Sequence, residues 1–242
     1  MIDLFSFISL SLVTPRSSHR ELTRGPSHVP RPSSLVLFFL LIFFFSFSQS
    51  DSTVIYLVGD AGNDTTPGKA LLALQKRLKT DSTATVIFLG DNVYPKGMND
   101  DIADGKVTIT EKRMMAQLSV LKGHQGLVYM IPGNHDWKAQ RRKGLDYVKC
   151  QEKWVNAYLK DTLRVNAGYF PSGGTPGPHS VLMHAGLRLI MIDSQWFIQK
   201  RSHKKVGTHV GKGKQETEEL CWTLLEAEIL ASVLRGEQLI IA

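Results

Sequence analysis

From residue 53 onward, short apolar runs alternate with longer stretches in which apolar positions recur every three or four residues. Residues 53–58 (TVIYLV), 85–89 (TVIFL) and 127–131 (LVYMI) are almost wholly apolar and are followed by Gly, Asp or Pro. Runs this short, rich in Val and Ile, predict strands buried on both faces. Residues 67–79 place Leu71, Leu72, Leu74 and Leu78 at helical spacing, with Pro67 in the first turn. Further helices are predicted over 111–121, 147–159 and 216–234. Residues 180–184 and 187–193 flank Ala185-Gly186 and predict a β-hairpin, and 238–242 (QLIIA) predict one more strand. Strands alternating with helices predict an α/β fold, a mixed β-sheet core flanked by helices, with the hairpin making the sheet mixed. Residues 173–178 and 200–214 read as exposed loops.

The first fifty residues follow another pattern. Residues 14–34 are rich in Pro, Ser, Arg and His and predict a disordered lead. Residues 35–47 (LVLFFLLIFFFSF) are almost entirely apolar. As a helix they span roughly 20 Å, short of the roughly 30 Å hydrocarbon core. That length fits the apolar region of a signal peptide better than a membrane span, and Arg16, Arg20, Arg24 and Arg31 precede it. Ser46-Phe47-Ser48 and Ser48-Gln49-Ser50 each offer a small-x-small cleavage site. Residues 4–13 form a second, weaker apolar stretch. The expected organisation is 1–50 as signal peptide or N-terminal membrane segment, then a folded domain over 51–242. The protein is expected to be exported, touching a membrane only through 35–47 if these are not cleaved.

Composition changes this picture little. A chain of 242 residues, 43% hydrophobic and 21% charged, buries a full core without disulfides. Cys150 and Cys221 form no CxxC or Cys/His cluster, which excludes a zinc finger; export would let them pair, and buried free thiols fit equally. The net charge of +7 favours anionic partners at long range. No basic–aromatic array marks a specific nucleic-acid surface.

The chemistry sits where three predicted strands end: Gly59-Asp60-Ala61-Gly62-Asn63, Gly90-Asp91-Asn92-Val93-Tyr94 and Gly133-Asn134-His135-Asp136. In α/β sheets ligands gather at the carboxyl ends of strands, and Gly lets the backbone turn there. Asp60, Asp91 and Asn134 are therefore expected to converge. Two neighbouring carboxylates repel unless a cation offsets them, and oxygen ligands suit hard cations. A carboxylate between two metals can bridge them.

The set GDAG, GDNVY and GNHD resembles the first three blocks of the calcineurin-like metallophosphoesterases, and within them the purple acid phosphatase pattern. Residues 53–242 follow the family's order of elements. The wider family has a histidine in the first block where this chain has Gly62; the purple acid phosphatases use a tyrosine of the second block, and Tyr94 stands there. The resemblance implies two metal ions (Fe, Mn or Zn) and a phosphate-ester substrate. Asp60 and Tyr94 would bind the first metal, Asp91 would bridge both, and Asn134 would bind the second. His135 would meet the substrate phosphate or protonate the leaving oxygen, with Asp136 as an orienting group beside it. For His135 the plainer role is a histidine held by Asp136; for Tyr94 it is an aromatic packed on the core. Trp137 and Trp196 would either stack on a substrate ring or pack internally. Specificity would come from loops 95–112 and 195–215.

The family also uses one histidine from a fourth block and two from a fifth, of Gly-His-x-His type. His124, His179, His184, His203 and His209 stand behind no strand in the required position, so exposed loop or hairpin roles are expected for them. The expectation is a C-terminally truncated chain whose hydrolytic activity is impaired. The reading from another class is a non-catalytic or membrane-tethered binding module that keeps the fold.

Overall fold

The computed structural model describes residues 9–12, 53–99, 107–163, 167–184, 186–199, 208 and 212–242. Residues 35–47 lie outside them, so the expected export segment is not described. Among the described residues no helix is long and apolar enough to cross a membrane. The chain divides into two compact units, residues 1–10 with 54–242, and residues 11–53. Only 11, 12 and 53 of the second are described, and β1 (Ser9–Leu12) is a four-residue strand.

Four parallel strands carry the larger unit: β2 (Thr53–Val58), β3 (Thr85–Phe88), β4 (Val128–Met130) and β5 (Ala167–Tyr169), neighbours in that order. Val86, Ile87, Phe88, Val128 and Met130 are fully buried, as expected for strands covered on both faces. The covering helices are α1 (Lys69–Leu78), α2 (Ile109–Leu118) and α3 (Gly144–Tyr158). α1 turns Leu71, Leu74 and Leu78 inward, the spacing that predicted it, while Leu72 is exposed. A reciprocal cap starts α2: Thr108 Oγ1 accepts from the Glu111 amide at 3.2 Å, and Glu111 Oε2 accepts from the Thr108 amide at 2.7 Å. The helix predicted to 121 ends at Leu118 and tightens into a 3₁₀ turn, Ser119–Leu121.

The predicted hairpin forms a second, separate sheet. Strand β6 (His179–His184) pairs antiparallel with β7 (Leu187–Met191), and β7 pairs in parallel with β8 (Gln238–Ile241). The mixed character therefore resides in this sheet, and the first sheet's four strands from β2 to β5 are parallel. Between β7 and β8 run a short helix, α4 (Ser194–Ile198), and the long helix α5 (Lys214–Leu234). Arg188 grips Glu237 through two hydrogen bonds of 2.7 and 3.0 Å, and Arg235 adds two more, which holds the Glu237 carboxyl well below its usual range. Cys150 lies in α3 and Cys221 in α5, and no disulfide joins them, so the pairing left open by the sequence is not formed.

Candidate metal centre

Register explains why the three motifs meet. Val58 is paired with Phe88, and Phe88 with Met130. The three strands thus end level, and their loops leave the same edge of the sheet. Asp60 follows Val58 by two residues, Asp91 follows Phe88 by three, and Asn134 follows Met130 by four. Asp60 and Asp91 both occupy the left-handed region, at φ 55° and 54°. Asp tolerates that region better than most residues, and strained backbone of this kind clusters at functional sites.

The structure joins the first two motifs through Tyr94. Its hydroxyl donates to Asp60 Oδ1 at 2.5 Å and lies 3.0 Å from Asp91 Oδ2. One proton thus sits among three side-chain oxygens, and Tyr94 is not a core-packing aromatic. Burial, those two hydrogen bonds and the neighbouring carboxylates push its pKa far above the ordinary phenol value. Without a cation this phenol keeps its proton; a cation held among the same oxygens would take its place. The donor set, two carboxylates and a phenol, fits a hard metal ion.

His135 belongs to the same cluster. Its amide donates to Asp91 Oδ1 at 2.9 Å, its Nε2 lies 4.0 Å from Asp91 Oδ2, and its ring lies 4.2 Å from the Tyr94 ring. Its Nδ1 donates to the Pro95 carbonyl at 2.8 Å, which leaves Nε2 toward the site. The alternative in which Asp136 holds His135 does not occur. Asn134 is half-buried at the start of this turn.

Asp136 turns the other way and is fully buried. Its Oδ2 accepts from the Gly133 amide (2.8 Å), the Asn92 amide (3.1 Å) and Asn92 Nδ2 (3.1 Å), and its Oδ1 accepts from the Val93 amide (3.1 Å). It therefore clamps the second motif onto the third: it orients the loops from within, and its partners are backbone and Asn92 amides rather than the His135 ring. Burial outweighs these bonds and raises its pKa to about 6. The folded chain then holds this proton to higher pH than the unfolded chain. Stability from this group is fullest below about pH 4 and is lost as pH rises through about 6.

Three residues that sequence reading missed complete the frame. Asn92 Nδ2 also donates to the Ile131 carbonyl at 2.8 Å, and Gln117 Nε2 to the Asn92 carbonyl at 2.6 Å. Arg113 donates to the carbonyls of Asn63 at 2.8 Å and Tyr94 at 2.6 Å, tying the first motif to the second. Gln117 and Arg113 lie on α2 and carry no local signal of this role.

Glycines are needed where these loops touch. A Cβ on Gly133 would lie 2.3 Å from both the amide nitrogen and Oδ1 of Asp91, and one on Gly62 would lie 2.2 Å from the Asn92 carbonyl. Gly59 has no neighbour within 4 Å of a built Cβ, so its role is not close approach. Gly133→Ala is expected to cost about 1–3 kcal/mol of stability and to weaken metal binding at least tenfold, because Asp91 must move. Thermal denaturation and metal titration of the variant check both.

Trp137 is 1% exposed and Trp196 is fully buried, so neither stacks on a substrate. His124 is buried and bonded to the Ala84 carbonyl at 2.8 Å, not exposed in a loop. His179 is half-buried and stacks on Phe170 at 4.0 Å. The side chains of His184, His203 and His209 lie outside the described residues, as does much of loops 95–112 and 195–215. Among the described residues, no three His, Cys, Asp or Glu side chains are grouped to hold a metal. The oxygen cluster reaches three donors only by including Tyr94.

The family model described as calcineurin-like phosphoesterase (Metallophos) matches residues 54–228. No curated protein and no solved structure matches the chain.

Proposed function

The chain belongs to the calcineurin-like phosphoesterases, and from that premise we propose that it hydrolyses phosphate esters with two metal ions held at the edge formed by β2, β3 and β4. The observation that carries this reading is the Tyr94 hydroxyl held between Asp60 and Asp91. Asp60 and Tyr94 would hold the first ion, Asp91 would bridge, and Asn134 would hold the second; Fe, Mn and Zn all suit such donors. When bound, the metal pair supplies positive charge for the phosphoryl oxygens and makes a water nucleophile available near neutral pH.

The chain's own groups do the rest. Asp91 sets the turn that carries Asn134 and His135 by accepting the His135 amide. The bond from Nδ1 to Pro95 fixes the His135 ring, so Nε2 is the atom that faces the site; in the imidazolium form its N–H would donate to a phosphate oxygen or pass its proton to the leaving oxygen. Asp136 and Arg113 keep the three loops from separating. Export, expected from residues 35–47, would place this activity outside the cytosol.

The test uses the full chain, stripped of metal and given Fe, Mn or Zn in turn, with metal binding and hydrolysis of an aryl phosphate both measured. Bound metal with metal-dependent turnover is the expected result. Bound metal without turnover would reduce the protein to a binding module. Absence of metal binding would overturn the reading.

A further inference from the structure

The turn that presents Asn134 and His135 is held from beneath by a residue outside all three motifs. Asp193 stands just past the end of β7 and is fully buried. Its Oδ2 accepts a 2.7 Å hydrogen bond from Trp137 Nε1. Its Oδ1 accepts from the Trp196 amide at 3.1 Å and so caps α4, and its own amide donates to the Pro176 carbonyl at 3.0 Å. Trp137 follows Asp136 directly, and its amide donates to the Gly133 carbonyl at 3.3 Å, closing the turn over residues 133–137. On its other side the indole packs against Gly144, where a Cβ would lie 3.0 Å from the ring. Trp137 is thus fixed at its backbone, its ring face and its ring nitrogen.

We propose that Asp193 is a positioning residue: through Trp137 it sets the turn bearing Asn134 and His135, so the second sheet fixes a site built on the first. Among the described residues no cation pairs with this carboxylate, whose burial is costly, and capping a five-residue helix is a weak reason to keep it. Its strongest contact is the indole N–H, one residue from the Asp136 clamp and three from Asn134. Burial raises the Asp193 pKa to about 7, which agrees with a group kept for its hydrogen bonds rather than its charge. The inference rests on the proposed metal role of Asn134 and Asp91, and its test separates the two.

Amide exchange is followed by NMR in the metal-free full chain, for wild type, Trp137→Phe, Asp193→Asn and the double variant. Trp137→Phe keeps an aromatic ring and leaves the α4 cap intact. Exchange at the Gly133 and His135 amides is expected to rise roughly tenfold in each variant while β3 amides are unchanged. The double variant is expected to match the single ones, because Asp193 acts through Trp137. Mn²⁺ affinity is then expected to fall roughly tenfold. Unchanged exchange at His135, or effects that add in the double variant, would overturn the proposal. Faster exchange at His135 in a chain that binds no Mn²⁺ would keep the anchor and sink the metal reading instead. If Trp137→Phe fails to fold, Asp193→Asn alone decides through the same two amides.

Discussion

Asp91→Asn is expected to lower metal affinity by at least about 100-fold, more than loss of an outer-shell partner costs, and to remove metal-dependent hydrolysis. The substitution isolates charge. Asn has the same shape and tolerates the left-handed backbone found at position 91, where φ is 54°. Its remaining oxygen can still accept the His135 amide, now bonded to Asp91 Oδ1 at 2.9 Å, and its nitrogen can donate to the Tyr94 oxygen now 3.0 Å from Oδ2. The fold is therefore expected to persist, with a melting temperature within a few degrees of wild type. The change falls on the cation. An oxygen anion that would hold the cation becomes neutral, and one of its two donor atoms is lost. Calorimetric titration with Mn²⁺ and hydrolysis of an aryl phosphate read the outcome. Unchanged Mn²⁺ affinity in a folded variant would remove Asp91 from the site and, with it, the argument from convergence.

That convergence was legible because it depends on local chemistry alone. Each apolar run announced a buried strand, each strand closed on a Gly with a polar residue beside it, and parallel strands in register must deliver their loops to one edge. Tyr94 was legible only through the resemblance; its spacing from Asp91 does not reveal that its hydroxyl meets Asp60. Strand β5 went unseen because Ala167-Gly168-Tyr169 is three residues with a central Gly. The helix α4 went unseen because five residues carry no period, and its cap, Asp193, reads as the end of a strand. Lys138, Ala139 and Gln140 follow one another at φ 57°, 48° and 61°, and no Gly or Asn marks such a left-handed turn in the sequence. Asp136 was legible as an orienting group, but not which groups it orients. Its neighbour His135 suggested a polar pair, whereas the unpaired amides of two loops compete for the same carboxylate and hold it in the interior.

That competition makes Asp136→Ala the most damaging expected change to the fold. Four donors lose their acceptor at once: the amides of Gly133, Asn92 and Val93 and the side-chain amide of Asn92. Gln151 borders the carboxyl, but neither polar atom of its side chain completes a hydrogen bond and it cannot serve all four. Leaving buried donors unsatisfied costs about 1–3 kcal/mol apiece, and a net loss of a few kcal/mol lowers the melting temperature by roughly 10 °C in a domain of this size. Part of the loss is offset, because the variant no longer holds a carboxylate away from water. The offset has a pH signature. Wild-type Asp136 keeps its proton up to about pH 6, so ionisation weakens the wild-type fold as pH rises from about 4 through 6. Alanine does not titrate. The stability gap between wild type and Asp136→Ala in the metal-free protein is therefore expected to be wider at pH 5 than at pH 7.5, as read by denaturant unfolding. A gap that narrows on acidification would mean that this carboxylate is stabilised as an anion, and that the clamp is held by charge rather than by four hydrogen bonds working against burial.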